Sequence, residues 1–159
     1  MATLDDLVVP LSFQGLTIAH LKSVAGWGNV PVSWTIGTRF STSFKTGQTF
    51  PAAKVQLVDG FEKVRGWLTE AVIQVDVYGR LNSDTGAPQN ADHESEAELL
   101  GRLVQWAMLR MPGMDHSRGI VTDVSTRRIP GPLPDDLYTP SRPRYSADYA
   151  ITAHPHPPS

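Results

Sequence analysis

Apolar and polar residues alternate with period two along several short segments of this chain, and two longer segments switch to a helical period. Ala71, Ile73, Val75 and Val77 share one face of a segment whose other face carries Val72, Gln74, Asp76 and Tyr78, with Gly79 just after it. The alternation predicts a strand over 71–78 in an antiparallel sheet with one covered face. Val32, Trp34 and Ile36 predict a strand over 30–37, with Pro31 at its start, where a missing N–H is tolerated. Val55 and Leu57 mark a strand over 53–58, closed by the turn signal Asp59–Gly60. A fourth strand, 119–125, sets Ile120, Thr122 and Val124 against Val121, Asp123 and Ser125. Tyr145, Ala147, Tyr149 and Ile151 predict a closing strand over 144–153.

Leu16, Ile18, Ala19, Leu21 and Val24 predict a helix over 14–25, stopped by Gly26. A longer helix spans 92–111 and ends at Pro112–Gly113. Asp92 caps it, or Ser95 does with Glu98 at capping-box spacing. Ala97, Leu100, Val104, Ala107, Met108 and Met111 form its core stripe, which Leu99, Leu103 and Trp106 widen. So broad an arc predicts burial against the sheet and a second surface, either the first helix or a neighbouring subunit.

The remaining segments read as connections. Residues 1–13 form an arm or a short helix halted by Pro10, and 38–52 a loop or a two-stranded flap. Residues 61–69 form a hairpin connection carrying Trp67, and 82–90 a polar loop. Residues 129–143 form a long, irregular, proline-rich loop before the last strand. The result is one α+β domain over 1–153, with a Pro/His tail over 154–159. Its sheet is antiparallel or mixed, of about five strands, and two helices cover it.

Composition narrows the function. With 40% apolar and 19% charged residues the chain can bury a core and does not match a disordered composition. A net charge of −2 disfavours free, sequence-specific nucleic-acid binding. Cysteine is absent, which excludes disulfides, thiol catalysis and cysteine zinc sites. No apolar run approaches the roughly 18 residues of a membrane span, and no secretory signal is evident.

Candidate chemistry is sparse. His20, His93, His116, His154 and His156 show no helical pair at metal-ligand spacing and read as solvated loop residues. Glu94, Glu96 and Glu98 sit where a helix dipole favours negative charge, and alternate residues on a helix point apart. Asp76 lacks an evident acid or histidine partner and reads as a solvent-face or interface residue. Phosphate-loop, dinucleotide and nucleophile-elbow motifs are missing. No residue is assigned a catalytic, cofactor-binding or metal-binding role, and the chain reads as a non-enzyme. Among the tryptophans, Trp34 and Trp106 fall on periodic elements and read as core, whereas Trp67 reads as an exposed anchor. Arg127, Arg128, Arg142 and Arg144 bracket the proline-rich loop. They face an acidic partner or DNA phosphate, or form a solvated surface balanced by Asp135 and Asp136.

The order of elements resembles the tail terminator family of long-tailed bacteriophages, over roughly residues 14–153. Val75, Asp76, Val77, Tyr78 and Gly79 resemble the family's strand ending in an aromatic and a small residue. Gly131–Pro132 and Pro134–Asp135 resemble its loop before the last strand, and Arg144–Tyr145 the closing strand of actinobacterial-phage members. The resemblance implies a structural protein of the virion at the tail–neck junction, assembled in the cytoplasm of a bacterial host. It implies a homo-oligomeric ring, a hexamer in the family, that caps the tail tube, stops its polymerisation and joins the tail to the neck. Its partners would be further copies of itself, the tail tube protein and a neck or head–tail connector protein, with no membrane and no cofactor. Genomic DNA would pass through the lumen, and six copies at −2 each make a ring of −12 that would not trap it. A neck or head–tail adaptor is the neighbouring alternative. The interface residues carried forward are Trp67, Arg127, Arg128, Asp135, Asp136, Arg142 and Arg144.

Overall fold

The computed structural model describes residues 12–26, 35–38, 51–64, 67–79, 93–113, 116, 119–134 and 143–155. Helix α1 spans Phe13–Ser23 and helix α2 spans His93–Leu109. The strands are β1 (Thr35–Gly37), β2 (Ala52–Val64), β3 (Leu68–Tyr78), β4 (Ile120–Leu133) and β5 (Arg144–His154). They form one mixed sheet in the order β1-β2-β3-β5-β4. Only the β1–β2 pair is parallel. The expected α+β class, with five strands and two α-helices among the described residues, is therefore present. Of the predicted first strand, residues 30–34, including Trp34, lie outside the described residues, as do 1–11 and 39–50.

Both helices lie on one face of the sheet. Ser12 starts α1, its Oγ accepting from the Gly15 amide at 3.1 Å. Gly26, at φ 83°, follows the helix in the left-handed region that suits glycine. The buried face of α1 is Phe13, Leu16, Thr17, His20 and Leu21, which is helical spacing with two polar members. Ala19, expected on that face, is exposed. Against α1 and α2 pack Val55, Ile73, Val75, Ala147, Tyr149 and Ile151 of the central strands. Each large aliphatic side chain so buried contributes about 1.5–3 kcal/mol.

The stripe predicted on α2 is correct: Ala97, Leu100, Val104, Ala107 and Met108 are all buried, as is Met111 in the 3-10 turn Met111–Gly113 that follows the helix. The expected widening holds only for Leu103, which is partly buried against the core. Leu99 and Trp106 are exposed, so the core reading of Trp106 is corrected. Gly101 supplies the reason. A Cβ there would stand 3.3 Å from Pro130 Cβ and 3.4 Å from Tyr145 Cβ, so the helix backbone presses on β4 and β5 along that line. At about 100° per residue, Leu99 and Trp106 lie far round the helix from it.

Three connections are corrected. The Asp59–Gly60 turn is absent, and β2 runs through it with a bulge between Leu57 and Asp59. Asp59 Oδ1 still accepts from the Gly60 amide at 2.8 Å, the local bond of a turn, absorbed here into the bulge. The hairpin turns later, where the Trp67 amide donates to Val64 O at 2.9 Å. The second correction is β4, which continues through Ile129, Pro130, Gly131 and Pro132 to Leu133, where a loop was expected. It is the outermost strand, and an outer edge tolerates residues without an N–H. A bulge between Val121 and Asp123 also lets Val121 and Val124 both face the core, against strict alternation. Third, β5 extends through His154, so that residue belongs to the sheet rather than to the tail.

Candidate assembly surface

The second face of the sheet carries a charged array built by strand register. Cross-strand pairing sets Gln74 opposite Asp148, Asp76 opposite Ser146 and Arg128 opposite Asp148. Arg144 Nη2 donates to Asp76 Oδ2 at 3.1 Å, and Nη1 donates to Pro134 O at 3.1 Å. Gln74 Nε2 donates to the same carboxylate at 3.0 Å. Arg128 forks onto Asp148 through Nε at 3.0 Å, and its Nη2 reaches Ser146 Oγ at 2.8 Å. Arg127 Nη2 donates to Glu70 Oε1 at 2.9 Å, and Lys63 Nζ stands 3.2 Å from Glu70 Oε2. The Arg127 hydrogen bond, then the one from Lys63, holds the Glu70 carboxyl below its ordinary range.

These contacts revise the arginine reading. Arg127, Arg128 and Arg144 are each held by a carboxylate of their own chain: Glu70, Asp148 and Asp76. Asp76, expected on solvent or at an interface, is fully buried. Burial lets a charge persist only when it is paired and hydrogen-bonded, as here. Asp135, Asp136 and Arg142 lie outside the described residues. Trp67 is half-buried, and its ring stacks on His154 with centroids 4.6 Å apart. It therefore belongs to the junction of β3 and β5 more than to an open anchor.

The loop reading of the histidines fails for two of them. His20 lies in α1, and both His20 and His116 are buried. His20 Nε2 donates to Ala107 O and His116 Nε2 to Met111 O, each at 2.6 Å, and their rings meet edge-on at 5.2 Å. Backbone carbonyls only accept, so both rings carry their proton on Nε2. The two imidazoles thus satisfy carbonyls at the end of α2 and just beyond it. Burial pushes the His20 pKa down. His93 and His156 side chains are outside the described residues. Among the described residues no three acidic or histidine side chains gather to hold a metal, and no helix is long and apolar enough to cross a membrane.

No protein-family model and no curated protein matches the chain.

The sequence reading missed the exposed apolar surface of β2, whereas that of α2 answers to the broad arc predicted for the helix. From Leu57 to Val64 every residue of β2 is exposed, including Leu57, Val58, Phe61 and Val64. β1 pairs only with 52–54, so this half of β2 lies beyond the reach of that ladder. On the other flank α2 exposes Leu99, Trp106 and Leu109, with the Arg110 guanidinium 4.5 Å from the Trp106 ring centre. The signal for the second patch was present in the sequence, as apolar positions in excess of what one sheet contact can cover.

Proposed function

We propose that this chain is a structural virion protein of the tail terminator kind, a non-enzyme that forms a ring on the end of a phage tail tube. The single observation that supports self-assembly is the set of exposed large apolar residues on separate parts of the subunit: the edge half of β2, the outer side of α2, and Ile129 of β4. Isolated exposed apolar residues are ordinary, but clustered ones mark contact surfaces. Two different surfaces on one subunit suit head-to-tail contacts, and such contacts close into rings when the rotation allows. The tail end as the place of action rests on the sequence resemblance: its element order, the Val75–Gly79 strand end and the Arg144–Tyr145 closing strand. In this reading the mechanism is steric. One side of the ring matches the last ring of the tube, and the other accepts a neck protein but no further tube subunit. The tail–neck junction of the virion is then its location, and DNA passes through the lumen.

Light scattering on the purified chain, with electron images of the same sample, tests the reading. Closed rings are expected, alone or once tail tubes are added, together with binding to tube ends. Rings that bind portal complexes and ignore tubes indicate the neck adaptor instead. A monomer indifferent to both removes the assembly reading.

A further inference from the structure

We infer that His20 and His116 form an acid-opened latch that fastens α1 to the end of α2, and that protonation lets α1 lift while the sheet stays folded. The inference stands apart from the ring reading above. Among the described residues no backbone hydrogen bond ties α1 to another element. Two side-chain bonds reach out of it there. His20 Nε2 donates to Ala107 O at 2.6 Å, and Gln14 Oε1 accepts from the Leu57 amide at a long 3.3 Å. The rest of its attachment is apolar, through Phe13, Leu16 and Leu21 in the core. α2 has contacts of its own with β3, β4 and β5, which remain when α1 leaves.

The geometry suits neutral rings. Nε2 of each ring donates to a carbonyl, so the next proton goes to Nδ1. His20 Nδ1 is buried and has no partner among the described residues, so a proton there would be a donor with nothing to accept it. That proton would also make a cation of a residue that is 2% exposed. The His116 ring, edge-on at 5.2 Å, is close enough that a charge on each would repel the other.

Few groups offset this cost. On α1, Lys22 is exposed and sits two residues from His20, on another side of the helix. On α2, Arg110 lies over the Trp106 ring, and Glu94, Glu96 and Glu98 stand at the far end. The 3-10 turn contributes Met111, and the sheet presents apolar side chains and Tyr149, whose phenol stays protonated. Asp115 and Arg118, beside His116 in the chain, lie outside the described residues. The Ala107 carbonyl favours a charged ring, but burial outweighs it, and the His20 pKa lies below its ordinary value. With α1 open and His20 in water, the proton binds more readily, and proton uptake favours the open form by the same factor. Where an ordinary histidine titrates, the described strands offer only His154, at the end of β5, so acid acts on α1 before it acts on the sheet.

Hydrogen exchange on the full chain, read by mass spectrometry from about pH 7.5 to 5, tests the latch. Rates are corrected for the intrinsic pH dependence of amide exchange. Protection of the α1 amides should fall severalfold across that range, while β3 and β5 keep theirs. His20→Gln keeps an amide that can donate to Ala107 O and does not titrate, so its α1 protection should hold constant. His116→Gln removes the neighbouring charge and should leave a smaller fall than in the wild type. Loss of protection in α1 and the sheet together would show global unfolding and overturn the latch. An undiminished fall in folded His20→Gln would overturn it too. Should that variant not fold, proton NMR titration of the wild-type imidazoles decides. His20 is expected to titrate at lower pH than a histidine in an unstructured peptide, and a His20 signal that titrates with the peptide while α1 stays protected would rule the latch out.

Discussion

Arg144 of β5 and Asp76 of β3 form an ion pair at 3.1 Å with side chains only 13% and 1% exposed. The Arg144 guanidinium also lies 5.8 Å from the ring centre of buried Tyr78. The pair ties the central strand to β5 across a register that sets Tyr78 opposite Arg144 and Asp76 opposite Ser146. Removing one member leaves the other charge in a site with little access to water. Asp76→Ala should therefore cost about 3 kcal/mol or more in urea unfolding. Replacing both by apolar residues, as in Asp76→Leu with Arg144→Met, should recover much of that loss. A double variant no more stable than Asp76→Ala would show that the charges themselves stabilise the fold.

His20 gives the fold a dependence on pH. Its folded pKa lies below the ordinary value of 6.5, chiefly through burial, with the nearby His116 acting in the same direction and the Ala107 bond opposing. The unfolded chain therefore takes up the proton first as pH falls. Stability from this site is complete above pH 6.5 and declines as pH drops below it toward the depressed folded value. Melting temperatures measured from pH 7.5 down to 5 should fall, and His20→Gln should flatten that part of the profile. An equal slope in the variant would assign the acid sensitivity elsewhere.

Tyr149 is fully buried in the core, and its hydroxyl has no hydrogen-bond partner among the described residues. Burial, with the Asp148 charge added, drives its pKa far upward, so the phenol stays protonated. Removing an unsatisfied buried hydroxyl relieves a desolvation cost. Tyr149→Phe should be neutral or stabilising by up to about 1 kcal/mol in chemical denaturation. A clear loss of stability would mean that the hydroxyl is satisfied in solution, for instance by a buried water.

Gly101 sits where the α2 backbone presses on Pro130 of β4 and Tyr145 of β5. A larger side chain must push the helix off Pro130 and Tyr145. Gly101→Val should cost about 1–3 kcal/mol, and it should move α2 enough to disturb assembly. A variant of unchanged stability would show that β4 gives way at Pro130 without penalty.

The elements of this protein were legible where their signal is local. The core stripe of α2 depends only on spacing three and four residues apart, and every predicted member is buried. The same holds for the alternation of Ala71, Ile73, Val75 and Val77. Punctuation by proline and glycine was less reliable, because its meaning depends on place in the sheet. Pro130 and Pro132 read as a loop, yet they sit in a strand whose outer edge requires no amide from them.

What only the tertiary structure decided is which residues meet. Arg144 finds Asp76 across 68 positions, Arg127 finds Glu70 across 57, and His20 finds Ala107 across 87. The two ion pairs depend on strand register, in which a one-residue bulge moves every later side chain to the other face, and the His20 contact depends on how the two helices pack. The bulges at Leu57/Asp59 and Val121/Asp123 leave no unambiguous mark in composition or periodicity. The sequence by itself determined the elements, the α+β class and the apolar surplus on α2. Packing then decided that the carboxylates of β3 and β5 hold the arginines, and that the surplus faces outward on two flanks, because a single sheet face can cover only one side of a helix.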